Sequence, residues 1–181
     1  MLLAQTLVAA WLLSLALPRR RHWIAAAVGL LALLPIDGLS AAMALRALWG
    51  DPSVTSLQLL ALALLGRAPT AFTRDWRGPA GIAAIAAVFY PLALGLSDFD
   101  PYRLGYQPGL LLAALALPAL FLCWRGNPLW LWLLSIDLAA WAGGLLESPN
   151  LWDTLLDPLL AVACLALALR NGWRTYKKNT P

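Results

Sequence analysis

The sequence predicts an all-α fold, a polytopic bundle of about seven transmembrane helices. Of its 181 residues, 61% are hydrophobic and only 12% are charged, whereas an average globular domain carries about 25% charged residues. The apolar residues form runs long enough to cross a bilayer, and short polar turns separate them. We therefore expect residues 1–181 to form a single integral membrane domain, located as a multi-pass protein in a bacterial inner membrane.

The predicted spans are the apolar segments between polar or basic turns. The first segment has no basic residues before its apolar core, so we expect a retained helix rather than a cleavable signal peptide. The segment 39–49 either extends the second span or lies along the membrane interface. The seven predicted spans are residues 2–17, 23–40, 53–67, 79–96, 108–124, 128–146 and 151–169.

The distribution of basic residues sets the predicted orientation. With the N-terminus outside and the C-terminus in the cytoplasm, the cytoplasmic turns hold 11 of the 13 lysines and arginines. The opposite face holds only Arg46 and Arg103. Such a bias in short loops is typical of inner-membrane proteins. The same clustering between apolar runs argues against nucleic acid as the partner, despite the net charge of +4.

Asp137 is the anomalous residue of the sixth predicted span, 128–146. A carboxylate at the centre of a bilayer is costly, so such residues are functional candidates or members of buried polar pairs. Ser135, Ala139 and Gly143 form a neighbouring ridge of small residues, which favours close packing of helices. We expect a protonated, hydrogen-bonded Asp137 that stabilises helix packing. A proton or ion relay is the alternative.

Most acidic residues fall on the predicted outer face. Oxygen clusters can bind hard cations or supply a general acid and base. The simpler interpretation is that these acids cap helices, because Asp100 and Asp157 each precede a proline at a predicted helix start. No cluster of histidine and cysteine is present, so we expect no metal and no cofactor. The candidate acids are Asp37, Asp98, Asp100, Glu147, Asp153 and Asp157.

The loop 97–109 is the most polar connection on that face. It combines two acids with Tyr102, Arg103 and two further aromatic residues, and loops carry functional residues disproportionately. Arg103 can bind an anionic head group, or it can pair with Asp98, Asp100 or Glu147. The ion pair is the commoner outcome for such a residue.

The sequence leaves the function open between three classes. It contains no nucleophile elbow, phosphate loop or dinucleotide fingerprint, so it does not decide whether the protein is an enzyme. The leading hypothesis is an accessory protein or complex subunit that acts through helix–helix contacts with another membrane protein. One alternative is a membrane-embedded enzyme or lipid-binding protein that uses the outer-face acids, Tyr102 and Arg103. The other is a proton- or cation-linked transporter that uses Asp137. Membrane lipids are the expected partners throughout.

Overall fold

The computed structural model describes residues 4–10, 27 and 29–179, and these residues are mostly helical. The chain divides into two compact units, residues 1–68 and 69–181. Residues 11–26 lie outside the described part, and so do the basic turn predicted at 18–22 and much of the first two predicted spans.

In the first unit, a short hairpin separates two helical regions. Residues 4–10 and 29–31 are helical. Strands β1 (Pro35–Ile36) and β2 (Leu39–Ser40) then pair antiparallel. Helix α1 (Ala41–Trp49) follows directly, and Ser40 caps it by accepting a hydrogen bond from the Met43 amide at 3.1 Å. The segment 39–49 is therefore not continuous with the preceding helix.

Helix α2 (Val54–Leu64) completes the described first unit. The Ser53 hydroxyl accepts a hydrogen bond from the Ser56 amide at 3.1 Å and so caps the helix. Asp51, two residues earlier, forms an ion pair with Arg46 of α1 at 2.8 Å. The Arg46–Asp51 ion pair thus ties the connection between α1 and α2 to the end of α1.

The second unit consists of helices of very different length. Helix α8 packs along α4, while α6 packs against both α5 and α7. The short 3₁₀ helix contacts α4, α5 and α7. In chain order the elements are α3 (Thr70–Thr73), α4 (Arg77–Ala93), the 3₁₀ helix (Pro101–Gly105), α5 (Gly109–Trp124), α6 (Leu129–Ala142), α7 (Leu151–Leu155) and α8 (Pro158–Asn179).

The core of the second unit lies between these helices. Leu151 and Cys164 are almost completely inaccessible to solvent, and Phe72 and Phe89 are buried with them. Leu133 and Leu134 are buried residues of α6. Cys123 and Cys164 are both free thiols.

The prediction of a transmembrane bundle is wrong, and so is the predicted location as a multi-pass protein of the inner membrane. Within residues 4–10, 27 and 29–179, no helix combines the length and the apolar character needed to cross a bilayer. Helices α4, α5 and α6 have 17, 16 and 14 residues. At about 1.5 Å per residue they reach about 26 Å at most, less than the ~30 Å of hydrocarbon.

Turn-forming residues explain why the apolar runs do not become longer helices. Gly95, Gly126 and Gly144 follow α4, α5 and α6 with φ of 93°, 83° and 64°, the left-handed conformation that ends a helix and favours glycine. The predicted span 151–169 is divided between α7 and α8, with Pro158 as the first residue of α8. Helix α8 has 22 residues, but its second half carries Arg170, Arg174, Lys177 and Lys178.

Candidate functional site

The candidate site is built on the junction between the 3₁₀ helix and α7, which Asn150 holds together. The Asn150 side chain is fully buried. Its Nδ2 donates to the Tyr102 carbonyl oxygen at 3.0 Å, and its Oδ1 accepts from the Trp152 amide at 2.9 Å, which caps α7. A Cβ atom on Gly105 would overlap Asn150 Oδ1. The absence of a side chain at position 105 therefore permits this close approach.

Three residues predicted from sequence meet at this junction. The Tyr102 hydroxyl donates a hydrogen bond to Asp153 Oδ2 at 2.8 Å, and the Tyr102 amide donates to Asp100 Oδ1 at 2.9 Å. Burial, followed by the hydrogen bond and charge of Asp153, raises the pKa of the Tyr102 phenol well above its ordinary value. The phenol thus remains a neutral hydrogen-bond donor at physiological pH.

A third acid, Asp157, lies at the start of α8. It is buried, and its Oδ1 accepts a hydrogen bond from the Leu160 amide at 2.8 Å, which caps the helix. Burial, and then the charges of Asp157 and Asp153, raise the pKa of Tyr90 on α4. Burial and then Asp157 raise the pKa of the Cys164 thiol to about 12. Asp153 and Asp157 therefore both raise the pKa of Tyr90. The Tyr90 and Tyr102 phenols and the Cys164 thiol stay neutral at physiological pH.

An apolar groove of about 450 Å³ runs beside this polar cluster. In its wall, the ring centroids of Phe89 and Trp152 lie 4.4 Å apart. The centroid of the Tyr102 ring lies 6.3 Å from that of Phe89. Tyr102 and Asp153 do not line the groove, but each directly follows a lining residue in the chain, and we refer to this hydrogen-bonded pair as the polar border of the groove. The lining residues are Ala84, Ile85, Val88, Phe89, Leu92, Phe99, Pro101 and Trp152.

The remaining acids of the predicted outer face do not line the groove. Asp98 and Glu147 are exposed in loops. Asp37 belongs to the first unit, where it forms the hairpin turn with φ of 52°. Arg103 is exposed on the 3₁₀ helix and forms no ion pair within the described chain, so the expected pairing with a neighbouring acid does not occur.

Asp137 lies in the protein interior but away from the groove lining. Its side chain is 2% exposed on α6, which packs against α5 and α7. The ridge that we expected to pack closely, Ser135, Ala139 and Gly143, is exposed instead. The contact face of α6 is formed by Leu133, Leu134 and Asp137.

Sequence reasoning missed Asn150, Trp152 and the groove. Asparagine directly before the apolar Leu151 is a favourable N-cap, and this pattern could have identified Asn150 as a structural residue. The α4 lining residues recur at 84, 85, 88, 89 and 92, which is the spacing of one helical face. No local pattern indicated that this face would remain uncovered.

The described residues contain no group of three or more histidine, cysteine, aspartate or glutamate side chains able to hold a metal ion. No family model, curated protein or solved structure matches the chain.

Proposed function

We propose that the protein binds an amphipathic, lipid-like molecule in the groove along α4, with its polar end at Tyr102 and Asp153. The observation that carries this proposal is an apolar groove of about 450 Å³ with an acid–phenol pair at its border. Small-molecule sites typically have volumes of about 300–1,000 Å³, mostly apolar walls and a few polar groups that orient the ligand. The groove has this volume and apolar walls, and the adjoining Tyr102–Asp153 pair would supply the polar groups.

The polar border favours a particular head group. Asp153 and Asp157 bring negative charge near this border, and the Tyr102 hydroxyl hydrogen is already engaged by Asp153. A ligand that offers a donor, such as an alcohol or an amine, can bind the remaining acceptor capacity of the carboxylate. A carboxylate head group would be repelled by these like charges. We therefore expect long-chain alcohols or amines to bind more tightly than the corresponding fatty acids.

A groove-filling substitution tests this proposal. Ala84 is an exposed lining residue of α4, and Ala84→Trp would occupy space that the alkyl chain needs. Excluding two methylene groups costs about 1.6 kcal/mol, so the affinity for decanol should fall more than about tenfold. Isothermal titration with decanol and with decanoate measures both affinities.

Ala87→Trp is the matched control, since Ala87 is an exposed residue of the same helix that does not line the groove. Its decanol affinity should equal that of the unmodified protein. Equal losses in the two variants, or tighter binding of decanoate than of decanol, would contradict the proposal.

Helix α5 supports a second function, that of a subunit whose apolar face receives a helix of a partner protein. Leu110, Leu117, Phe121 and Trp124 have between 53% and 81% of their surface exposed. Their spacing of seven, four and three residues places them on one side of α5. Exposed apolar patches of this kind mark interaction sites.

A charge placed in the centre of that face tests the second function. Native mass spectrometry of the protein from its own cells should show a stoichiometric complex with a second polypeptide. Leu117→Glu should dissociate it, while Ser135→Glu, at an exposed position of α6, should not. A protein that is monomeric before any substitution would rule this function out.

A further inference from the structure

A basic cleft lies at the other end of α8 from Asp157, where the helix meets α3. Its volume is about 390 Å³. Positions 171, 174, 175 and 178 are three or four residues apart, so they share one face of α8. The lining residues are Thr73, Arg74, Asn171, Arg174, Thr175, Lys177 and Lys178.

Asn171 forms the fixed floor of this cleft. Its side chain is 1% exposed, and its Nδ2 donates to the carbonyl oxygens of Phe72 at 3.2 Å and Asp75 at 2.9 Å. These two bonds tie the end of α3 to α8. Arg74 lies between the two acceptor residues in the chain, so the same bonds hold its backbone beside the cationic face of α8.

Within the described residues, no carboxylate pairs with the charges that line the cleft. Arg74, Arg174, Lys177 and Lys178 form no ion pair with any described residue, and no acid lines the cleft. The Asp75 carboxylate is nearest in sequence, but its Oδ1 accepts from the Arg77 amide at 3.0 Å.

The helix dipole accounts for only part of this arrangement. The partial negative charge at a helix C-terminus favours cations in the last turn, which explains Lys177 and Lys178. Arg74 belongs to a different element, at the C-terminal end of α3. Because Arg74 lies beside the cations of α8, repulsion between these like charges raises the electrostatic energy of the unliganded cleft. A bound anion would lower that energy.

We propose that this basic cleft binds a phosphomonoester group. A phosphomonoester carries about −1.5 to −2 charges at pH 7, which suits a site with four cations better than a singly charged diester does. The planar forks of Arg74 and Arg174 can each donate two parallel hydrogen bonds to phosphate oxygens. The volume exceeds that of a bare phosphate ion, so the group is carried either by a small soluble molecule or by a lipid head group.

Two binding measurements on the full chain distinguish these carriers. Isothermal titration with glycerol 3-phosphate tests the soluble monoester. Co-sedimentation with phosphatidylcholine vesicles, with and without phosphatidic acid, tests the lipid head group. Binding of glycerol 3-phosphate indicates a soluble ligand, and binding only to vesicles that contain phosphatidic acid indicates a lipid.

In either case Arg74→Gln/Arg174→Gln should reduce affinity at least about tenfold, because each substitution removes charge-assisted hydrogen bonds. Both side chains are exposed, so folding should be retained, and circular dichroism verifies this. Arg74→Lys/Arg174→Lys retains the charge but not the forks, and should bind with intermediate affinity.

Arg103→Gln/Arg125→Gln is the matched control, since it removes the same charge from positions outside the cleft. Its affinity should stay within about twofold of the unmodified protein, the range expected for distant exposed charges. Equal losses in the cleft and control variants would show non-specific attraction and overturn the proposal. Failure of the unmodified protein to bind either probe would also overturn it.

Discussion

The two ends of α8 carry opposite charge, and they use it differently. At the start of the helix, Asp157 is buried and its carboxylate caps the backbone through the Leu160 amide. At the far end, Arg174, Lys177 and Lys178 are exposed and form no ion pair with the described chain. The acid therefore contributes to the fold, while Arg174 and Lys178 remain available to a ligand and Lys177 lies over the Trp173 ring.

The comparison also separates two kinds of proposed binding site. At the acidic end, bonds of 2.8–3.0 Å between the 3₁₀ helix and α7 fix the position of Tyr102 and Asp153. The adjoining groove would select a ligand by apolar contact and one oriented hydrogen bond. At the basic end, only the Asn171 floor is buried, and attraction would come mainly from charge, which salt screens.

The largest expected effect is at the acidic end, on Gly105. Gly105→Ala places a methyl group on Asn150 Oδ1, and it should cost about 3 kcal/mol of unfolding free energy through overpacking and a disturbed buried hydrogen bond. Urea denaturation measures this loss. Phosphate binding by the basic cleft should persist in the folded variant.

Gly109→Ala is the control for Gly105→Ala. No heavy atom lies within 4 Å of the added methyl group, so the unfolding free energy should change by less than about 1 kcal/mol. If both alanine variants have the same stability, the close approach of Asn150 to position 105 does not constrain the fold.

A smaller effect is expected where α8 begins. Asp157→Ala removes the cap on the Leu160 amide and should lower the unfolding free energy by about 1–2 kcal/mol. Asp157→Asn should cost less, because asparagine also caps helices. Lys178→Ala at the opposite end should stay within about 0.5 kcal/mol of the unmodified protein. A loss for Lys178→Ala as large as that for Asp157→Ala would abolish the contrast between the two ends.

Local sequence pattern predicted the positions of the helices better than it predicted their environment, which was expected to be a membrane. The predicted segment 108–124 nearly coincides with α5, Gly109–Trp124, because a proline precedes it and a glycine follows it. The predicted segment 128–146 ends early in the structure, since Gly144 adopts a positive φ and α6 stops at Ala142. Apolar composition indicated burial in lipid, yet no described helix combines the length and the apolar character that crossing requires.

The sequence predicted some residues of the candidate site, but not Asn150, Trp152 or the arrangement of the site. Asp100, Tyr102 and Asp153 were identified from their residue types and position. The contact between Tyr102 and Asp153 joins residues 51 apart in the chain, and it depends on how the 3₁₀ helix packs on α7. Asn171 was missed because its partners, the carbonyl groups of Phe72 and Asp75, lie on another element.

The smallest expected effect concerns the Cys164 thiol, which lies 1% exposed near Asp157. Its pKa rises from 9.0 to about 12 on folding, so the unfolded chain releases the thiol proton first as pH increases. The contribution to stability is complete below pH 9 and declines as pH approaches 12. At pH 9.5 the loss is about 0.8 kcal/mol.

Urea denaturation at about pH 8 and pH 9.5 isolates this contribution when Cys164→Ala is measured alongside. The alanine variant loses packing equally at both pH values, and Cys123 titrates in both proteins. The unmodified protein should therefore lose about 0.8 kcal/mol more than the variant between the two conditions. Identical losses would mean that the start of α8 does not shield its side chains from solvent. The distinction between a buried acidic end and an open basic end would then rest on capping by Asp157 alone.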